Sequence, residues 1–160
     1  MKKQQETSLL DEYSIGHPGF LVRRLHQIAV ALFAEECAAL DITPTQFGIM
    51  LAISQNPGVD QSAAAEVRGV DRATMASIVA RLEKDGYLRR VTSKTDRRQK
   101  LLTLTAAGKS LLNKARAPVA RSNERTLEVL GPRDQKSFMR LLQKLVDGGN
   151  HHGRAKLRLK

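Results

Sequence analysis

Cationic side chains are concentrated in one stretch of this sequence, and their chemistry is that of phosphate binding. Between Arg68 and Lys100 there are ten Lys or Arg residues and four Asp or Glu residues, a net charge of +6, while the whole 160-residue chain carries +11. A cluster of this kind neutralises DNA phosphates and releases their counterions, which supplies much of the affinity of a DNA-binding protein. Lysines scattered over the surface would not be concentrated in this way. The sequence therefore predicts double-stranded DNA as a partner.

The densest part of this charge, SKTDRRQKLLTLT at 93–105, has the pattern of the tip and second strand of a β-hairpin. Lys94, Arg97 and Arg98 surround Asp96 at the tip. An arginine in that position can read the width and negative potential of a DNA minor groove, and a neighbouring carboxylate can fix the direction of its guanidinium. The alternative is a hydrated charged loop without a DNA contact.

The segment before the hairpin predicts a helix that could enter a major groove. Asp71 is a suitable N-cap for RATMASIVARLEKD, and Gly86 is a suitable end. Its apolar residues form one inward stripe at Met75, Ile78, Val79 and Leu82. The other residues are small near the start and basic further on, as a recognition helix requires: Arg72, Ala73, Thr74, Ser77, Arg81 and Lys84. An ordinary solvated amphipathic helix is the alternative.

Further helix signals predict a helix-turn-helix before the hairpin. Thr43, Pro44 and Gln46 predict a helix start with a capping box, and Asp60 caps a short helix that Gly69 ends. Two strand candidates, YLRRVT and KLLTLT, flank the cationic loop. The order helix, turn, helix, hairpin predicts this module over about residues 43–105.

The helices on either side of the module predict a homodimer. The helix from about 18 to 40 is apolar on two sides, so a single small domain can hardly cover it. After Thr105 the pattern predicts a long helix to about Leu130, with a kink or break near Arg116 because of Pro118. A last helix follows Gly131, with an apolar stripe at Phe138, Leu141, Leu142, Leu145 and Val146.

The residues at 71–109 resemble the winged helix-turn-helix segment of the MarR family of bacterial transcription regulators. The family's DxR wing tip and LTxxG strand-to-helix junction recur here, and the resemblance extends over about 18–147. It implies a mainly α fold: a winged helix-turn-helix with a two-strand β-wing and dimerisation helices at about 18–40 and 106–147. It further implies a homodimer on a palindromic operator, with the 72–85 helix in the major groove and Arg97 or Arg98 in the minor groove.

Outside this single domain, residues 1–17 are a polar lead-in and 148–160 a basic tail that we expect to be mobile.

The stretch HPGFLVRRLHQIAVALF at 17–33, at the start of the single domain, is similar to MarR-family repressors of aromatic-acid catabolism. That resemblance makes His17, Arg24 and His26 candidate ligand-binding residues, for a small aromatic carboxylate or its coenzyme A thioester. Alternatively, Arg24 and His26 form hydrogen bonds in a dimer interface. A regulator of a different lipophilic ligand, or an architectural or ligand-independent DNA-binding protein, also stays open.

Other classes find little support. Gly-Lys-Ser at 108–110 does not form a phosphate-binding loop, because Thr103 stands where that loop needs glycine, and we expect neither catalysis nor a cofactor. His151 and His152 lack further ligands, so we expect no metal site. With one cysteine and no apolar run that could cross a bilayer, we expect a cytoplasmic protein without a membrane partner. Cys37 follows two glutamates that disfavour its thiolate, which predicts a structural cysteine rather than a peroxide sensor.

Overall fold

A computed structural model describes residues 16–93, 96, 99–153, 155, 157 and 158. Over these residues the chain forms six α-helices and one three-stranded antiparallel sheet. The helices are α1 (Pro18–Glu36), α2 (Pro44–Gln55), α3 (Gln61–Arg68), α4 (Arg72–Lys84), α5 (Ala106–Leu127) and α6 (Pro132–Gly149), and the strands are β1 (Val59–Asp60), β2 (Leu88–Thr92) and β3 (Lys100–Leu104). The predicted mainly α fold with a winged helix-turn-helix is confirmed. Short 3-10 helices at Ala38–Leu40 and Asn150–His152 follow α1 and α6.

The helices begin at the capping residues that the sequence predicts. The Thr43 hydroxyl accepts a hydrogen bond from the Gln46 amide at 3.2 Å, and the Gln46 side chain accepts one from the Thr43 amide at 2.9 Å, so α2 has a capping box. Asp60 accepts hydrogen bonds from two amides in the first turn of α3. Each such cap stabilises its helix by about 1 kcal/mol.

The sheet contains one strand more than the two-strand wing that we expected. β3 lies between β2 and β1, and β1 pairs with it through Val59 opposite Leu102. Two residues are too few to show an alternating pattern, which explains why the sequence did not reveal β1. The extra strand leads directly into α3, so it fastens the wing to the helix-turn-helix.

The core lies between α2, α4, the sheet and the first half of α5. Its most buried large side chains include Ile49, Met50, Ile53, Met75, Val79, Leu88, Leu102 and Leu112. The inward stripe predicted for α4 therefore packs as expected, with Ile78 half-buried at its edge.

The expected break near Arg116 is absent, because α5 continues as one helix across Pro118. Ala115 and Ser122, on either side of the proline, are both buried, and α5 packs along α1 on this face. Arg121 and Arg125 of the second half also form ion pairs with Glu36 of α1, at 2.7 and 3.0 Å. These contacts hold the helix together where the proline removes one backbone donor.

Two apolar faces remain exposed in the described part of the chain. On α1, Leu21 and Val22 are 51% and 60% exposed, and on α6, Leu145 is 71% exposed. None of the residues of α6 is buried. Contiguous exposed apolar surface of this kind marks an interaction site.

The first turn of α5 approaches the start of the wing so closely that only glycine fits at position 108. A Cβ atom on Gly108 would overlap the carbonyl oxygen of Tyr87, which is backbone and cannot rotate away. We therefore expect Gly108→Ala to lower the free energy of unfolding by at least about 2 kcal/mol, through overpacking. The measurement is urea denaturation at fixed protein concentration.

Gly148→Ala is the matched control, because a Cβ there meets nothing within 4 Å and the residue is helical. It should leave stability unchanged or slightly higher. Equal destabilisation by the two substitutions would show that the close approach at Gly108 is not a constraint.

Candidate nucleic-acid interface

Helix α4 presents five of its six predicted DNA-binding residues on one exposed side, whereas Arg72 lies about 140° from Ser77 around the helix axis. Met75, Val79 and Leu82 are buried, which fixes the rotation of the helix about its axis. The six residues predicted to meet DNA are all exposed: Arg72, Ala73, Thr74, Ser77, Arg81 and Lys84. The small residues at the start allow close approach to a base-pair edge, and the basic residues lie further along.

The cap of α4 determines the hydrogen-bonding role of Thr74. Asp71 accepts a hydrogen bond from the Thr74 amide at 2.9 Å and another from the Thr74 hydroxyl at 2.7 Å, and these bonds lower the pKa of Asp71. Because the hydroxyl donates its proton to Asp71, its lone pairs face outward as acceptors. The Thr74 hydroxyl therefore keeps its acceptor capacity, and its predicted contact with DNA stays a prediction.

Arg81 is held in place by carboxylates on both sides of α4. Its Nε donates to Asp85 at 2.6 Å, one turn further along the helix, and its NH2 lies 3.8 Å from Asp41. Asp41 has a left-handed backbone conformation, with φ of 43°, just before α2. The pairing with Asp85 favours one direction of the guanidinium, and the predicted contact of Arg81 with DNA stays a prediction.

A clasp between Glu83 and Arg90 fixes the wing against α4. Arg90 Nε donates to one Glu83 oxygen at 2.8 Å, Arg90 NH2 contacts the same oxygen, and the Arg90 amide donates to the other at 3.2 Å. The side-chain hydrogen bond from Arg90 is the main reason that the pKa of Glu83 is lowered. In the sequence, Glu83 and Arg90 are recognisable only as charged residues. A spacing of seven residues across a turn carries no periodic signal that would have identified them.

At the wing tip, Lys94, Arg97 and Arg98 lie outside the described residues, so their predicted DNA contacts stay predictions. Asp96 is described and exposed. Its amide donates to the Ser93 hydroxyl at 3.3 Å, and its carbonyl accepts from the Gln99 amide at 3.0 Å, which closes the turn. The predicted pairing of Asp96 with an arginine concerns residues outside the described part and also stays a prediction.

The three candidate ligand-binding residues lie on two different sides of α1. His17 is the N-cap, and its Nδ1 accepts a hydrogen bond from the Gly19 amide at 3.2 Å. At 100° per residue, Arg24 lies on the same face as His17, while His26 is rotated by about 200° from Arg24. Arg24 and His26 are both exposed, and Arg24 NH1 lies 3.4 Å from Gln27 Oε1. One chain therefore does not bring all three together.

Cys37 is buried between the end of α1 and the core, with 2% of its surface exposed. Burial, and then the charge of Glu36, raise the pKa of its thiol. A thiol of this kind is a poor nucleophile at neutral pH, which agrees with a structural role. Among the described residues there is no group of three or more His, Cys, Asp and Glu that could hold a metal ion. The described helices are also too short or too polar to cross a membrane.

A recognition helix with an exposed polar face, clasped to a β-wing, defines a winged helix-turn-helix DNA-binding protein. The MarR family profile matches residues 40–99. The transcriptional regulator HosA of Escherichia coli O127:H6 is 34% identical over 127 residues, which cover 79% of this chain and 92% of HosA. The chain belongs to the MarR family. It is a transcriptional regulator that acts by binding DNA and not by catalysis, as the sequence predicted.

Solved structures agree with this assignment. The repressor CouR, bound to a 23-mer DNA duplex, is 29% identical with a TM-score of 0.79, over 86% of this chain and 96% of CouR. BpsR of Bordetella bronchiseptica, whose DNA binding is regulated by 6-hydroxynicotinic acid, is 26% identical with a TM-score of 0.79, over 83% of this chain and 95% of BpsR.

The ion pair between Glu83 and Arg90 should make the stability of the protein depend on pH. Because Arg90 lowers the pKa of Glu83 below its ordinary value of 4.5, the clasp contributes stability above that pH and loses it as the pH falls through the lowered value. We expect Glu83→Gln to cost up to about 1 kcal/mol at pH 7 and to show a smaller loss of stability on acidification than the unmodified protein. DNA affinity should fall as well, because the wing is less firmly held.

Thermal unfolding between about pH 3 and 7 measures the first effect, and fluorescence anisotropy with labelled duplex measures the second. Glu128→Gln, which removes an exposed carboxylate at the end of α5, serves as the control. If both substitutions gave the same acid profile and the same DNA affinity, the clasp would not position the wing.

Proposed function

We propose that this chain is a cytoplasmic, homodimeric repressor that a small aromatic carboxylate, or its coenzyme A thioester, releases from a palindromic operator. The observation that carries the proposal is the exposed polar face of α4, fixed to the wing, in a chain whose outer helices leave apolar faces open. The polar face of α4 suits contact with base pairs, and the apolar faces of the outer helices suit dimerisation with a second copy. A two-fold symmetric dimer of this kind can bind the two half-sites of a palindrome.

Exposed apolar side chains support the dimer. Leu141 and Leu145 are one turn apart on α6, and Val22 is an exposed apolar side chain on α1. A second copy presents the same surfaces, so a two-fold arrangement covers both at once. DNA reading requires the dimer because two recognition helices must stand one duplex turn apart, about 34–36 Å.

A charge placed in this interface should separate the subunits. We expect Leu145→Glu combined with Leu141→Glu to give a monomer at micromolar concentration and to abolish operator binding, because each glutamate would have to lose its hydration on dimerisation. Sedimentation velocity and fluorescence anisotropy measure the two outcomes. Lys144→Glu, on the same helix, is the control and should stay dimeric. A stable dimer of the double variant would place the interface elsewhere.

The face of α1 that carries Arg24 supports the choice of effector. Leu21, Arg24 and Ile28 lie within about 60° of one another around the helix axis, so a guanidinium is flanked by two exposed apolar side chains. A carboxylate can bind the guanidinium while an aromatic ring contacts the leucine and isoleucine. Regulation of BpsR by 6-hydroxynicotinic acid, an aromatic carboxylate, supports the same class of ligand.

Release follows from the separation of the two recognition helices. A ligand bound on this face of α1 in the dimer holds the two winged modules at a spacing that no longer fits successive major grooves. It shifts the equilibrium only by its difference in affinity for the two spacings, and bound DNA weakens the ligand by the same factor.

Replacing Arg24 should remove the response while leaving DNA binding intact. We expect an aromatic carboxylate to lower the operator affinity of the unmodified protein, and Arg24→Ala to bind the operator normally without responding, since its side chain lies outside the DNA-reading surface. Anisotropy titrations with benzoates, cinnamates and their coenzyme A thioesters measure this.

Arg23→Ala is the matched control. Arg23 is also exposed, but its guanidinium lies over the ring of Phe20 at 5.3 Å. It should keep the response. If the unmodified protein ignores every compound, the aromatic-acid proposal is wrong. If Arg24→Ala instead weakens dimerisation, Arg24 belongs to the dimer interface.

A further inference from the structure

The sequence after the last helix alternates between basic and apolar residues. RAKLRLK at 154–160 contains four Lys or Arg residues, each separated from the next by Ala or Leu, and no Asp or Glu. A period of two is that of an extended segment with one apolar and one polar side. The described residues agree with it, because Ala155 and Leu157 are half-buried whereas Arg158 is exposed.

The described residues of this segment, Ala155, Leu157 and Arg158, lie on the turn of the helix-turn-helix. The Arg158 amide donates a hydrogen bond to the carbonyl oxygen of Glu66 in α3, at 2.8 Å. The Leu157 side chain packs on Gly69 in the turn, 3.5 Å from the point where a Cβ atom would lie. The Asn150 side chain donates to the Leu157 carbonyl at 2.9 Å and thereby folds the segment back on itself.

The turn lies next to the surface predicted to meet DNA. Gly153 and Ala155 form part of the wall of an open cleft of about 700 Å³. The end of α3, the turn after it, and the first turns of α2 and α4 form the rest of that wall. Ala155 also borders a second cleft of about 340 Å³ that Asp71 lines as well. Ala155 therefore lies beside the N-terminal end of the recognition helix.

We propose that Ala155, Leu157 and Arg158 extend the DNA-binding surface: Ala155 and Leu157 pack on the turn, and Arg158 contacts a backbone phosphate beside the half-site. The proposal rests on the DNA binding of the proposed function. The charge of the segment favours contact with DNA over blocking of the DNA-binding surface. A segment that took the place of DNA on this basic surface would be expected to carry acidic residues, whereas residues 154–160 carry basic residues and no acidic ones.

Two variants test the charge of Arg158 and the packing of Leu157 separately. Arg158→Ala removes the proposed phosphate contact. Leu157→Ser keeps every charge but weakens the packing of residue 157 on Gly69. The control is Lys114→Ala, which removes one exposed cation from α5. The probe is a fluorescent duplex selected from a random-sequence library by the full chain, beside a scrambled duplex, with dissociation constants measured between about 50 and 200 mM KCl.

We expect Arg158→Ala to weaken binding about threefold or more on both duplexes and to reduce the slope of log K against log salt by about 2, since a dimer loses two contacts at about 0.9 each. Leu157→Ser should also weaken binding about threefold, and Lys114→Ala should change neither affinity nor slope. Loss of affinity for the selected duplex alone would contradict a phosphate contact.

The other outcomes overturn the proposal in distinguishable ways. If the full chain prefers the selected duplex while both tail variants match it in affinity and slope, the tail proposal is wrong and the proposed function stands. Tighter binding by Leu157→Ser would show that the segment covers the surface instead of extending it. A full chain that prefers no duplex would overturn the proposed function, and the tail proposal with it.

Discussion

The junction between the wing and α5 is the constraint on which the rest of the structure depends. The Thr105 amide donates to the Tyr87 carbonyl at 3.1 Å, and the Thr105 hydroxyl donates to the Gly86 carbonyl at 2.7 Å while capping α5 through the Gly108 amide. Gly108 then packs against the backbone of Tyr87. Because α4 ends just before Gly86, this joint connects the recognition helix rigidly to the long helix that leads away from DNA.

A second joint lies at the far end of α5. Glu36 accepts hydrogen bonds from Arg121 and Arg125, and these lower the pKa of its carboxyl group, while Arg125 also reaches Glu35 at 2.9 Å. α1 is thus paired with one end of α5, and the winged module is packed against the other end.

The sequence predicted correctly those structural features that depend on residues close together along the chain. Thr43, Asp60 and Thr105 mark helix starts because a cap involves residues within about three positions, and the inward stripe of α4 follows from the helical period alone. The clasp between Glu83 and Arg90, the pairing of β1 and the seat of Leu157 on Gly69 join residues whose spacing matches no repeat. At Pro118 the sequence signal was misleading, because a proline locally favours a break in the helix. Here the packing of α5 on both sides of the proline outweighs that local preference.

The exposed residues of α4 have an evolutionary consequence. Ser77 and Lys84 take no part in the core, so replacing them changes stability by no more than about 0.5 kcal/mol. The duplicated gene of such a regulator can therefore accumulate changes on this face while its copies still fold. Residues such as Met75 and Gly108 lack this freedom, so divergence between sister proteins should be concentrated on the exposed face of α4.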